Sequence, residues 1–168
     1  LYKAQLFEGK NFSVQFTEMM EEMLKVSPTL KLYEVQTMLL RDAEGKLTSN
    51  VTPDNFMGVY MLPRGEEEYS FTTIVNYDED WKLRYEVIED VWLEDVIIEN
   101  WKDIISLDDA IKCMYESGLT IPTADFMTFR SPLGRKLINP QYIFGSSRTG
   151  LVYIDAITGK ACLDPFVD

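Results

Sequence analysis

The sequence predicts an α+β protein made of two helix-plus-antiparallel-meander units, each helix packed on one face of its sheet. Three observations predict it. Two segments carry apolar residues at helical spacing, each is followed by short apolar runs separated by turn residues, and the same order of elements occurs twice. Connections this short permit hairpins and not parallel crossovers, and a helix laid on such a sheet buries the apolar side of both.

In the first unit, residues 1–90, Phe16, Met19, Met20 and Met23 recur at i, i+3, i+4 and i+7, with Glu18, Glu21, Glu22 and Lys25 between them. This predicts an amphipathic helix, capped by Ser13 and stopped at Ser27-Pro28, because the residue before proline avoids helical geometry. Strands are expected at 32–38, 59–62, 69–76 and 82–87, with turns at 41–47 and at Asp78-Glu79-Asp80 and an insertion near 48–58.

The second unit, residues 106–168, opens with Ser106 three residues before Asp109. Leu107, Ala110, Ile111 and Met114 form the stripe, and Gly118 stands as the C-terminal cap. Cys113 falls off the centre of that stripe and is expected to be partly exposed. Strands at 124–129, 141–144, 151–155 and 160–163 repeat the meander, with a turn at 130–137 and a reversal at Ile157-Thr158-Gly159. Between the units, in a connector of 91–105, Trp92, Leu93, Val96, Ile97, Trp101 and Ile104 alternate with acids; the 3–4 spacing favours a short helix and the β-branched residues a continued strand, and of the two the helix is expected.

A chain of 168 residues with 46% hydrophobic residues is long and apolar enough to bury a core. Its net charge of −12 repels phosphate backbones and disfavours nucleic acid as a partner. No apolar run is long enough to cross a bilayer, and Leu1 to Gln5 lacks the layout of a signal peptide. A chain opening at Leu1 is expected of a mature or trimmed part of a longer precursor. Two cysteines, Cys113 and Cys162, make neither a zinc site nor a disulfide framework, though one bridge between them stays open.

Histidine is absent, which removes the side chain that most often moves protons near neutral pH and the commonest zinc ligand. Serine triads, cysteine–histidine dyads and His-Glu-x-x-His sites are therefore excluded. The run from Gly145 to Gly150 lacks the Gly-Lys-Ser/Thr ending of a phosphate loop and reads as a hairpin turn, and Gly45-Lys46-Leu47-Thr48 fails in the same way. Asp78, Glu79 and Asp80 lack the ligand spacing of an EF-hand. No catalytic residue, metal ligand or cofactor is expected. Asn11-Phe12-Ser13 and Asn50-Val51-Thr52 fit the glycosylation pattern.

The stretch Ile105 to Lys112, with its capped helix and Ala110-Ile111 pair, and the later run Val152 to Lys160, with its Asp155-Ala156-Ile157-Thr158-Gly159-Lys160 turn, resemble the PepSY domain. The resemblance covers the second half of the chain well and the first half in outline, where the hairpin Val75 to Lys82 lacks the Thr-Gly. It implies an exported, non-catalytic binding or regulatory module, secreted or envelope-anchored, whose partner is a protein such as a secreted peptidase. An acidic intracellular interaction or inhibitor protein is the alternative, and a carboxylate-based hydrolase the third. Trp92, Trp101, Asp78, Glu79 and Asp80 are the candidate partner-binding residues; the bland reading packs the tryptophans between the units and leaves the acids solvated in a turn.

Overall fold

Asn11, not Ser13, starts the first helix. In the computed structural model, which describes residues 9–64, 68–92, 94–134, 136–163 and 165 (backbone alone at 64 and 68–70), the strand β1 (Lys10–Asn11) leads directly into α1 (Phe12–Val26). The Asn11 side chain accepts a hydrogen bond from the Val14 amide, the standard N-cap geometry. Ser13 lies inside the first turn and spends its hydroxyl elsewhere, accepting from the Leu107 amide at 2.9 Å. The far end matches expectation, with Ser27 in an extended conformation before Pro28.

The strands that follow are β2 (Lys31–Arg41), β3 (Leu47–Val51), β4 (Met57–Arg64), β5 (Glu68–Tyr77), β6 (Leu83–Ile88) and β7 (Asp95–Val96). After α2 (Leu107–Glu116) come β8 (Phe126–Pro132), β9 (Gln141–Ser146), β10 (Gly150–Asp155) and β11 (Ala161–Leu163). The cap of α2 is as the sequence predicts: Ser106 accepts from the Asp109 amide, and Gly118 takes a φ of +76° just past the helix. The insertion near 48–58 is β3 and a 3-10 turn at Pro53–Asn55, and β3 pairs with both β1 and β2.

Eight strands run in the order β11-β10-β9-β8-β2-β4-β5-β6, antiparallel throughout, so the class is α+β with sheet dominant. The two helices share one core against one face of this continuous sheet. Phe12, Phe16, Met19, Met20 and Met23 of α1 are each at most 3% exposed, and Leu107, Ala110 and Met114 of α2 are fully buried. They meet Val35, Leu39, Val75, Phe129, Tyr142, Phe144, Val152 and Ile154. Each large apolar side chain hidden in this way contributes roughly 1.5–3 kcal/mol.

The helix expected in the connector does not form. Its backbone finds better partners in the sheet: β7 pairs with the end of β8, and the Ile98 amide donates to the Leu32 carbonyl at 2.8 Å. β-branched Val96, Ile97 and Ile98 favour that extended choice, and tertiary pairing overrides the 3–4 spacing. Leu93 and Arg135, placed by the sequence in the connector and the second turn, lie outside the described residues. Cys113 is half-buried, as expected, and neither it nor Cys162 is in a disulfide.

Candidate functional site

A strand alternates its side chains between two faces, so the residues that β2 does not give to the helices point to the other side of the sheet. A bulge between Leu32 and Glu34 places Tyr33 and Glu34 together on that helix-free face. Tyr33 joins Val59 and Met61 in a second apolar cluster, against which Met57, Trp92 and Ile97 pack. Glu34 stands opposite Arg130 of β8 in register, two pairs away from Gln36 opposite Thr128.

Beyond the Glu34–Arg130 pair the two central strands part. Leu32 takes Ile98 as its partner, and Ser131 and Pro132 take Val96 and Asp95, so the connector is wedged into the split. That wedge carries an acid into the interior. The Asp95 side chain is fully buried, with Oδ2 accepting from the Trp92 indole N–H at 2.8 Å and Oδ1 3.3 Å from Arg130 Nη1.

Glu34 is 2% exposed, and its Oε1 accepts from Gln36 Nε2 at 2.8 Å. Burial pushes its carboxyl up to about 7, and the charge and hydrogen bond of Asp95 push in the same direction; Gln36 and Arg130 oppose them only in part. Burial and then the Asp95 charge also raise the Tyr33 phenol. Two carboxyl groups thus face one guanidinium in a poorly solvated place. Above them opens a depression of about 200 Å³ lined by Glu34, Gln36, Glu94, Thr128, Arg130 and Tyr153, among others.

The two carboxyl groups adjoin each other and both are buried, whereas in the glycosidase arrangement two carboxyl groups flank a cleft with room for a sugar. What the arrangement can do is hold a proton and tie the connector down. Among the described residues no group of three His, Cys, Asp or Glu side chains could hold a metal ion.

Of the sequence candidates, Trp92 belongs to this site, where it covers the second cluster and holds Asp95. Trp101 is on the other side, edge-on to Phe16 with ring centroids 6.1 Å apart, beside a groove of about 370 Å³ lined by Phe16, Ile104 and Ile105. Asp78, Glu79 and Asp80 form the turn between β5 and β6, far along the strand order from β8. There Asp78 Oδ1 accepts from the Asp80 and Lys82 amides at 2.9 Å each. The Lys82 amide above all, with Arg84 beside it, holds the Asp78 carboxyl below its usual range.

That turn leads into the most exposed strand of the sheet. β6 pairs only with β5 among the described residues, and Tyr85 (54%), Val87 (47%) and Ile88 (38%) lie open although their neighbours Val75 and Thr73 are fully buried. From Asp78 to Asp90 the chain carries six carboxylates against two cations.

No family model matches the chain. No curated protein matches it in sequence. Among solved structures it is similar to a crystal structure described as "a putative lipoprotein" from Clostridium difficile 630, with a TM-score of 0.51 over 95% of this chain and 97% of that one. At 10% identity the likeness is one of fold. Among the described residues no helix is long and apolar enough to cross a membrane.

Glu34, Asp95 and Arg130 escaped the sequence reading. A lone acid inside the apolar run Leu32 to Val35 was the available signal, but alternation alone sends such an acid to solvent. Only the wedged connector, which covers that face, makes it a buried one.

Proposed function

We propose that this protein is an exported, non-catalytic binding or regulatory module that acts by protein contact, with β6 as its contact strand. The exposed β6 edge carries the reading: an outer row of backbone donors and acceptors, beside apolar Tyr85 and Val87, suits an extended segment of a partner. The excess of carboxylates from Asp78 to Asp90 suits a basic segment. Asp78, Glu79 and Asp80 then serve at the rim of the contact, whereas Trp92 and Trp101 serve as packing.

The proposal includes two related helix-plus-meander units of PepSY-like kind. Support comes from the strand order, in which β2-β4-β5-β6 and β8-β9-β10-β11 run outward from a central β2–β8 pair. An envelope setting draws its support from the fold likeness to the clostridial protein.

The test is a titration of the purified protein against secreted metallopeptidase activity in culture supernatant of its own source, at low and moderate salt. Saturable inhibition that Val87→Lys removes and Ile138→Lys leaves intact supports the reading, since both variants add one positive charge at an exposed position. Inhibition unchanged by Val87→Lys rules out β6 as the contact. No inhibition at any concentration sinks the peptidase form of the proposal.

A further inference from the structure

The Asp95 carboxylate presents an accounting problem that Arg130 does not solve. Asp95 Oδ1 is buried and receives no hydrogen bond from any fixed donor among the described residues; the Arg130 contact at 3.3 Å is an ion pair not aligned as a hydrogen bond. A buried acceptor left so costs about 1–3 kcal/mol, more when charged. Glu34 is the neighbour that can supply a donor, by keeping its proton.

We propose that Glu34 and Asp95 share one proton, held between their carboxyl groups, and that this proton latches the connector into the split between β2 and β8. Loss of the proton to solvent leaves two buried carboxylates against the single Arg130 guanidinium. Their repulsion then favours withdrawal of Asp95, and with it the β7 pairing, the Ile98–Leu32 hydrogen bond and the Trp92 indole contact.

Groups from β2, β8, β4, β9, β10 and the segment before β7 face the pair. On β2 they are Tyr33, whose phenol is raised and so neutral near pH 7, and the uncharged Gln36. On β8 there are Arg130 and uncharged Thr128, and β4 places apolar Val59 opposite Glu34. The segment before β7 gives Glu94, which lines the depression and adds negative charge; β9 and β10 give Ile143, Leu151 and Tyr153. No second cation among these residues takes the proton's place.

The latch makes the connector a pH-sensitive segment, and its location gives that a use. The connector continues directly from β6, so its release loosens the end of the strand proposed above as the contact edge. The shared proton itself rests on no partner and stands or falls separately from that proposal.

Amide hydrogen exchange by NMR tests it on the intact chain. Protection of the Ile98 amide and the Trp92 indole N–H, corrected for intrinsic rates, is followed from pH 5 to 8.5. The expected result is a loss of about tenfold per pH unit up to roughly pH 7 and a plateau above, since one proton is released on opening. Glu34→Gln keeps a donor for Asp95 Oδ1 and cannot ionise, so it is expected to hold both groups protected and flat across the range. The same slope in Glu34→Gln as in the parent, or no slope in the parent, overturns the proposal. Should the variant not fold, carboxyl carbon shifts of the parent decide: Glu34 titrating together with the exposed glutamates, near pH 4.5, overturns it as well.

Discussion

Trp81 occupies, with a φ of +59°, the turn position that Gly45 fills with a φ of +79° in the other hairpin of the same kind. In both turns an aspartate, Asp42 or Asp78, binds the amides two and four residues on, and its own amide pairs with the carbonyl of Lys46 or Lys82. A bulky residue there is strained by about 1–3 kcal/mol. Trp81 offsets this by packing edge-on to Tyr77 at 5.1 Å and Phe56 at 6.4 Å, with Lys10 Nζ over its ring.

The two positions therefore answer differently to substitution. Trp81→Gly relieves the strain but removes the aromatic contacts, and a net loss of about 1–2 kcal/mol is expected, because removing a large packed aromatic outweighs one strained φ. Gly45→Ala meets open space and suffers from φ alone, so a loss of about 1 kcal/mol is expected. Urea unfolding of both variants checks the pair.

Tyr60 is fully buried and its hydroxyl has no hydrogen-bond partner among the described residues, a burial that raises the phenol well above its usual range. Tyr60→Phe removes an unsatisfied polar group and little else. Stability is expected to stay level or rise by up to about 1 kcal/mol, measured by thermal and urea unfolding. A loss above that size would mean the hydroxyl has a partner in solution.

Gly145, the last residue but one of β9, has a φ of +99°, and a Cβ there would come within 2.2 Å of the Gly150 carbonyl oxygen and 2.7 Å of Pro122. The first contact is with backbone and cannot swing aside. Gly145→Ala is expected to destabilise by about 3 kcal/mol or more, readable as a large drop in unfolding midpoint.

Stability is expected to be highest near pH 4–4.5, between the unfolded values of the two lowered aspartates and of Glu34, and to fall on both sides. Asp155 is raised by burial, yet the Thr158 and Ile157 amides and Asn139 more than reverse this and leave it lowered; Asp78 is lowered by the Lys82 amide above all. Lowered acids stabilise above their unfolded value of 3.8 and lose this as pH falls through the folded value. Glu34 is raised from 4.5 to about 7, so its contribution is full below 4.5 and is lost as pH rises to about 7. Unfolding free energies from pH 3 to 8 check this, and Glu34→Gln is expected to flatten the alkaline side alone.

The local devices were legible because their causes are local. The turn at Asp155 to Gly159 forms as its residues imply, with Asp155 Oδ1 accepting from the Ile157 and Thr158 amides at 2.8 Å each and Gly159 at a φ of +75°. The run from Gly145 to Gly150 is the expected hairpin turn, with Thr149 bonded back to Ser146. The cap of α1 is Asn11 where the sequence predicts Ser13, because both residues suit the position. The choice fell to long-range contacts: Asn11 Nδ2 reaches Ser49 and Asp108, and Ser13 is taken by Leu107.

By itself the sequence determined the class, the α2 cap and the main strands and turns, since spacing, capping and φ preference act within a few residues. Only the tertiary structure decided that the connector is extended, that β2 meets β8 at the centre, and that Glu34, Asp95 and Arg130 converge out of water. Those outcomes depend on which distant backbone is available to pair and on what covers each face of the sheet, neither of which is written in the local order of residues.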